Sequence, residues 1–279
     1  MSPIAGVFSF LSRHNIDTAL GVGAGTLFFA KVYGQSLDAW TLLWLMGVTW
    51  VAYSLDRLLD NWQFQDFRHF SRHVWHRDSQ GRILLVLAVL CAVLLWVLLS
   101  RLPLYFAYRL SALGFIFFLH HLALRYFSYR GWKEGVVAAV YTAMIAWLPY
   151  ETLKPSLPIW AMIAVYFLLV LMNVLIYAGI ECQDRQESAR ASIADWGVAR
   201  IYRLCDLVSV LAITLITVAS LYSMELSRAW VILWLMALLH TIWYRRLRTD
   251  SQRGSYPQGL RYRWLGESLF YIPIASLWI

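Results

Sequence analysis

Apolar runs close to the length of a membrane-crossing helix recur nine times along this chain of 279 residues. A helix that spans the hydrocarbon of a bilayer takes about 20 mostly apolar residues. The runs fall at roughly Asp17–Tyr33, Leu37–Leu59, Ile83–Leu99, Leu104–Leu124, Val136–Tyr150, Ile159–Ile180, Ile201–Tyr222, Trp230–Tyr244 and Trp264–Trp278. Lipid cannot satisfy an open backbone, so each run is expected to be helical, and the alternation of a membrane barrel is absent. The fifth run is short, and the ninth carries Glu267 and Pro273. The reading is an all-α integral membrane protein with about nine transmembrane helices, a single domain over 1–279. Composition agrees: 60% of residues are hydrophobic and only 14% charged, against about 25% charged in soluble domains.

The basic residues orient the runs. Nineteen of the 24 Lys and Arg fall before the first run, in the connections after the second, fourth, sixth and eighth, or, as Arg57 and Arg203 do, at the run ends that border those connections. The opposite side receives Lys31, Arg101, Lys154 and Arg228, and Arg109 lies inside the fourth run. Nine helices with the N-terminus in the cytoplasm put every basic connection inside, which suits a multi-pass protein of the cytoplasmic (inner) membrane. The same loops explain the formal net charge of +8 without nucleic acid as a partner. No charged n-region, short apolar stretch and small-residue cleavage site stands at the start, so no removable signal peptide is expected. Cys91, Cys182 and Cys205 lack metal-ligand spacing and read as small packing residues. The longer polar stretches, Asn61–Arg82 and Arg245–Arg263, read as cytoplasmic loops that could carry short surface helices.

Two acidic pairs stand out on this background. The stretch WVAYSLDRLLDNWQFQDFRHFSRHVWHR, from Trp50 to Arg77, places Asp56 and Asp60 at the end of the second run, followed at once by Arg and His. The stretch NVLIYAGIECQDR places Glu181 and Asp184 at the end of the sixth. Spacings of four and three each keep a pair on one helical face. Both runs point the same way, so both pairs fall at cytoplasmic ends. Carboxylates near a bilayer are costly and therefore candidates for function. Mg²⁺ takes hard oxygen ligands and often binds through carboxylates together with substrate phosphates. Two pairs facing each other across a cavity would suit Mg²⁺ and a diphosphate, with nearby arginines offsetting its charge.

The pattern resembles the UbiA superfamily of intramembrane aromatic prenyltransferases, with nine helices and Asp-rich motifs after helices two and six. Asp56 and Asp60 match the family's first motif, with Ala52 in place of its Asn; Arg68 and Arg72 correspond to the basic residues downstream. Tyr177, Glu181, Asp184 and Arg185 are similar to the second motif, with Ser188 where a Gly is usual and Trp196–Gly197 further on. SRHN, with Arg13 and Asn15, and SYRGWKEG, with Lys133, are similar to the basic segments opening the family's first and fifth helices. The resemblance implies a UbiA-like bundle around a central cavity. It implies that Asp56, Asp60, Glu181 and Asp184 hold Mg²⁺ and that Arg13, Arg68, Arg72, Lys133 and Arg185 bind the diphosphate. Asn15, Tyr53 and Tyr177 would belong to the substrate pocket. The partners implied are an isoprenyl diphosphate, a lipophilic acceptor and the bilayer, and the activity is prenyl transfer. A non-catalytic isoprenoid-binding relative and a small transporter are the rival readings.

Other polar residues carry less. His69, His73 and His76 lie among arginines and read as phosphate or headgroup contacts. His120, His121 and His240 read as helix-packing or polar contacts, and Asp206 and Glu267 as structural or pocket-lining.

Overall fold

The computed structural model describes residues 3–63, 71–127, 133–150, 155–184, 196–223, 227–252 and 265–277. Those residues are all-helical. In chain order they form α1 (Pro3–Arg13), α2 (Ile16–Val32), α3 (Ala39–Gln63), α4 (Ser71–Asp78), α5 (Gln80–Ser100) and α6 (Leu104–Phe127). Then come α7 (Lys133–Ala146), α8 (Leu157–Asp184), α9 (Val198–Leu221), α10 (Ser227–Gln252), a helical turn at 265–269 and a 3₁₀ helix, Ile272–Leu277.

Among the described residues, four helices are long and apolar enough to cross a membrane: Ala39–Leu59 within α3, Gln80–Ser100, Leu157–Ile180 within α8, and Val198–Leu221. Their surfaces agree with that solvent. On α5 the inward stripe is Ile83, Leu87, Leu94 and Val97, whereas Leu85, Val89, Trp96 and Leu99 are more than half exposed. Apolar surface on this scale marks contact with lipid or protein rather than water. Hydroxyls on these helices turn inward to their own backbone. Thr26, Thr49, Ser100, Thr217 and Thr241 each donate to the carbonyl four residues earlier, at 2.6–2.8 Å, which satisfies these hydroxyls within their own helices. The fold is that of a membrane-associated, multi-pass protein.

Eight expected segments coincide with α2, α3 and α5 to α10. The ninth differs: Trp264–Trp278 is not one helix. Pro273 lacks an N–H, and its ring disfavours the helical conformation of the residue before it. The helical turn at 265–269 therefore ends, and the chain continues as the 3₁₀ segment. Two short helices, α1 and α4, flank the expected segments; α4 falls in the polar stretch 61–82.

α2 is the hub. It packs on α1, α3, α7 and the 3₁₀ segment, and from Asp17 to Ala30 nearly every side chain is buried. Glycines make this approach possible, because a small residue lets a neighbouring helix come close. A Cβ on Gly21 would lie 3.2 Å from both Phe270 Cβ and the Tyr141 hydroxyl, and one on Gly23 would lie 2.9 Å from Met46 Sδ. A Cβ on Gly25 would collide with the Tyr166 hydroxyl. The same neighbours set the directions. Met46 faces Gly23 while Trp50 Nε1 donates to the His14 carbonyl at 2.8 Å, so α3 runs antiparallel to α2. Tyr141 faces Gly21 and Ile145 faces Gly25, so α7 runs parallel to α2. α8 returns antiparallel along α7 and is therefore parallel to α3.

The carbonyls at the C-terminal end of α7 lack helical partners, and three side chains supply them. Tyr33 donates to Ala146 O at 2.8 Å, Tyr105 to Pro149 O at 3.1 Å, and Arg109 to Trp147 O at 2.9 Å and also to Tyr150 O. Arg109 also lies over the Trp147 ring at 5.0 Å. The buried Tyr150 hydroxyl in turn donates to Thr26 O at 2.6 Å, tying this end to α2.

The contact at Gly25 yields a test. Gly25→Ala is expected to cost about 1–3 kcal/mol, the usual penalty of overpacking. Tyr166→Phe is expected to be near neutral by itself, because the Tyr166 hydroxyl is buried without a hydrogen-bond partner. In the Gly25→Ala background it should recover most of the loss. Thermal unfolding of the four proteins in detergent measures this, and equal, additive losses would exclude a steric origin.

Candidate functional site

A small cavity of about 50 Å³ lies between five elements. α2 contributes Thr18, α3 contributes Tyr53 and Arg57, and α7 contributes Val137 and Tyr141. α8 contributes Val170, Asn173, Val174 and Tyr177, and the C-terminal segment contributes Glu267 and Phe270. The walls are thus aromatic and aliphatic, with a guanidinium, a carboxylate, an amide and three tyrosyl hydroxyls among them. The space exists because α3 packs on α2 and α8 packs on α7, with α2 and α7 between them.

Both acidic pairs occupy the continuation of these walls. Asp56 is half-buried and precedes the cavity-lining Arg57. Asp60 follows by one turn on the same helix. On α8, Glu181 comes one turn after the cavity-lining Tyr177, and Asp184 is the last residue of the helix. Because α3 and α8 run parallel, the two helix ends lie on the same side of the cavity. The side chains of Asp60, Glu181 and Asp184 are outside the described residues, as are Arg68 and Arg185 and the side chain of Arg72. Among the described residues, no group of three or more His, Cys, Asp or Glu could hold a metal. Asp56 is a hard oxygen donor of the kind Mg²⁺ takes.

Of the remaining expected site residues, Tyr53 and Tyr177 line the cavity. Lys133 is the first residue of α7 and half-buried. A cation at a helix N-terminus opposes the helix dipole and gains when an anion is shared between the two. Arg13 ends α1, and its Nε is buried without a hydrogen-bond partner.

Asn15 lies elsewhere. It forms the corner between α1 and α2 with φ 58° and ψ 17°, a left-handed conformation that Asn tolerates better than most residues. Fully buried, it donates through Nδ2 to His76 Nε2 at 3.4 Å. His14 of the same corner packs its ring 4.1 Å from Trp75. The corner thereby anchors α4. His76 is buried there as a structural partner, while His69 and the side chain of His73 lie outside the described residues.

Residues that sequence reasoning weighted lightly prove central to the cavity. Glu267 is only 8% exposed and lines it. Asn173, 5% exposed, lines it too, and its Oδ1 is buried without a hydrogen-bond donor. A Cβ on Gly266 would come within 2.6–2.8 Å of Trp243, Asn173 Oδ1 and the Tyr177 hydroxyl, so the glycine lets this segment close the cavity wall. Asn173 was visible in sequence as the polar residue four before Tyr177; it sits one turn away on α8. By contrast, Asp206 is not among the cavity-lining residues. It pairs with Arg248 at 2.7 Å on a part-exposed surface, worth at most about 1 kcal/mol. This hydrogen bond raises the Arg248 guanidinium further above its ordinary range. His240 is buried, donates from Nδ1 to the Met236 carbonyl at 2.9 Å, and meets the Phe270 ring edge-on at 5.3 Å. Cys205 is buried and Cys91 exposed; Cys182 lies outside the described residues.

Comparison with protein families, with curated proteins and with solved structures finds no significant match to this chain.

The corner at Asn15 makes a second prediction. Asn15→Ala should cost about 2 kcal/mol, combining a left-handed backbone on a β-carbon-bearing residue with a lost hydrogen bond. Asn15→Gly should lose only the hydrogen bond and cost about half as much. Thermal melts in detergent rank the two; equal losses would show that backbone conformation is not what the position requires.

Proposed function

We propose that this chain is a Mg²⁺-dependent intramembrane prenyltransferase of UbiA type. It would move a prenyl group from an isoprenyl diphosphate to a lipophilic, aromatic acceptor. The observation that carries the reading is the shared cavity. Tyr53 and Arg57 on one wall lead to Asp56 and Asp60, and Asn173 and Tyr177 on the other lead to Glu181 and Asp184. Acidic residues that end the two helices walling one aromatic-lined cavity would suit a diphosphate bound at those helix ends.

In this reading Asp56, Asp60, Glu181 and Asp184 would hold the metal, which would offset charge on the leaving diphosphate. Arg13, Arg68, Arg72, Lys133 and Arg185 would add fixed positive charge to the same end. The allylic C–O bond would break with its electron pair leaving on diphosphate. Tyr53, Tyr141, Tyr177 and Phe270 would present ring faces to the allylic cation and exclude water from it. The finer topology belongs to the proposal: nine passes in the cytoplasmic membrane, N-terminus inside, with the broken segment 265–277 as the last. Irregular backbone at that depth is tolerated when packed in protein, and Phe270 and Pro273 are buried.

Two experiments test this. Reporters fused after Arg77 and after Arg190 should appear cytoplasmic, and one near Pro155 external; opposite sides for the first two would separate the acidic pairs. Asp56→Asn and Asp184→Asn should each lower Mg²⁺-dependent binding or turnover of an isoprenyl diphosphate by roughly 100-fold or more. Their effects should not add, because they would serve one metal–diphosphate unit. Asp206→Asn should change little. Normal Mg²⁺-dependent binding and turnover in both variants would eliminate the site. Tight binding without diphosphate release, across a broad acceptor panel, would point instead to a non-catalytic isoprenoid-binding protein.

A further inference from the structure

Outside the cavity, exposed arginines gather where α9 and α10 meet. The outward stripe of α9 is Leu207, Val210, Leu211 and Val218, each roughly half exposed or more, and Arg203 continues it by one turn. The outward stripe of α10 is Val231, Leu235, Leu238 and Ile242, and Arg245 and Arg246 continue it by three and four residues. Such spacings keep one helical face, so both apolar stripes end in guanidinium groups. The two ends are held side by side. Tyr244 donates to the Tyr202 carbonyl at 2.7 Å, and Arg248 pairs with Asp206 at 2.7 Å. Arg203 and Arg245 are the chain neighbours of Tyr202 and Tyr244. Arg200 joins them from the first turn of α9, with the exposed Trp196 just before that helix.

The fold does not use these charges. Among the described residues, the guanidinium groups of Arg200, Arg203, Arg245 and Arg246 make no ion pair or hydrogen bond. Asp206 is already taken by Arg248, and with Asp250 one turn beyond Arg246 the patch stays strongly positive. Arg200 also opposes the dipole of the helix it opens. A general excess of basic residues in cytoplasmic loops does not by itself bring four of them to two adjoining helix ends. Where lipid-facing stripes give way to charge and an exposed Trp, the headgroup layer begins. Basic sites between helix ends at that level hold anionic headgroups.

We propose that the paired ends of α9 and α10 bind an anionic phospholipid, with its phosphate among Arg200, Arg203, Arg245 and Arg246 and its acyl chains along the two apolar stripes. The site lies apart from the cavity and does not depend on the prenyl-transfer reading.

The experiment uses the full chain, stripped of lipid in a neutral detergent and titrated with dioleoyl phosphatidylglycerol or dioleoyl phosphatidylcholine, with bound lipid counted by native mass spectrometry. The wild type should hold the anionic lipid about tenfold more tightly. Arg203→Gln, Arg245→Gln and Arg246→Gln should each weaken it about fivefold. Arg101→Gln, which removes an exposed arginine at the end of α5, should leave it unchanged. In lipid-free detergent these variants should melt with the wild type, and Arg200→Gln should melt no lower, because its charge opposes the helix dipole. Lower melts there would make the arginines part of the fold and overturn the proposal. Equal affinity for the two lipids, or a preference that survives the combined Arg203→Gln, Arg245→Gln and Arg246→Gln variant, also overturns it. Glycerol phosphate binding as tightly as the lipid would show a site for soluble anions instead. A parallel loss of Mg²⁺-dependent isoprenyl diphosphate binding would assign these arginines to the diphosphate and equally overturn it.

Discussion

A helix that must be buried on all sides needs neighbours that can reach its backbone, and α2 meets this demand with glycine. Gly21 and Gly25, four apart on one face, admit Tyr141, Phe270 and Tyr166, while Gly23 admits Met46 from α3. In a lipid-facing protein the hydrophobic effect contributes little to helix association, so close van der Waals packing has to do more. The arrangement of α3, α7 and the C-terminal segment follows from their seating on this one helix. Their hydroxyl-bearing and aromatic side chains also reach the interior because α2 yields the room.

The cavity is a consequence of the same packing. With α2 and α7 standing between α3 and α8, the two walls that lead to the acidic helix ends are kept apart. The gap is closed by the 265–277 segment, whose break at Pro273 prevents a straight crossing helix. Glu267 and Phe270 thereby reach the same space as Tyr53 and Tyr177. Glu267 and Phe270, three apart in and just after the 265–269 turn, fall on one side of it, and burying the irregular backbone that follows against α2 and α10 makes the irregularity tolerable.

The opposite end of the bundle is built for closure instead. Tyr33, Tyr105 and Arg109 satisfy the exposed carbonyls after α7, and Tyr150 ties that turn to α2. Arg109 illustrates how a charge inside an apolar run can be structural. Its guanidinium reaches a helix terminus, where cations are favoured, and lies over Tyr105 and Trp147.

The sequence by itself determined where eight of the helices lie, since apolar length marks each of those segments, whereas α1, α4 and the broken course of 265–277 were not marked by it. It also determined that two acidic pairs end two of those segments, because a spacing of three or four residues is a property of one helix alone. What it could not determine was which polar residues share a space. Asp206 and Glu267 looked alike as single acidic residues in apolar runs. Tertiary structure separated them, pairing one with Arg248 at a part-exposed surface and turning the other into the cavity. Asn15 looked like a pocket residue and lies at a corner anchoring α4, while Asn173, hidden in an apolar run, lines the cavity. The glycines of α2 could be read as small residues, yet their neighbours could not. The physical reason is that helical periodicity assigns a residue to a face, whereas what that face meets is decided by the packing of helices distant in the chain.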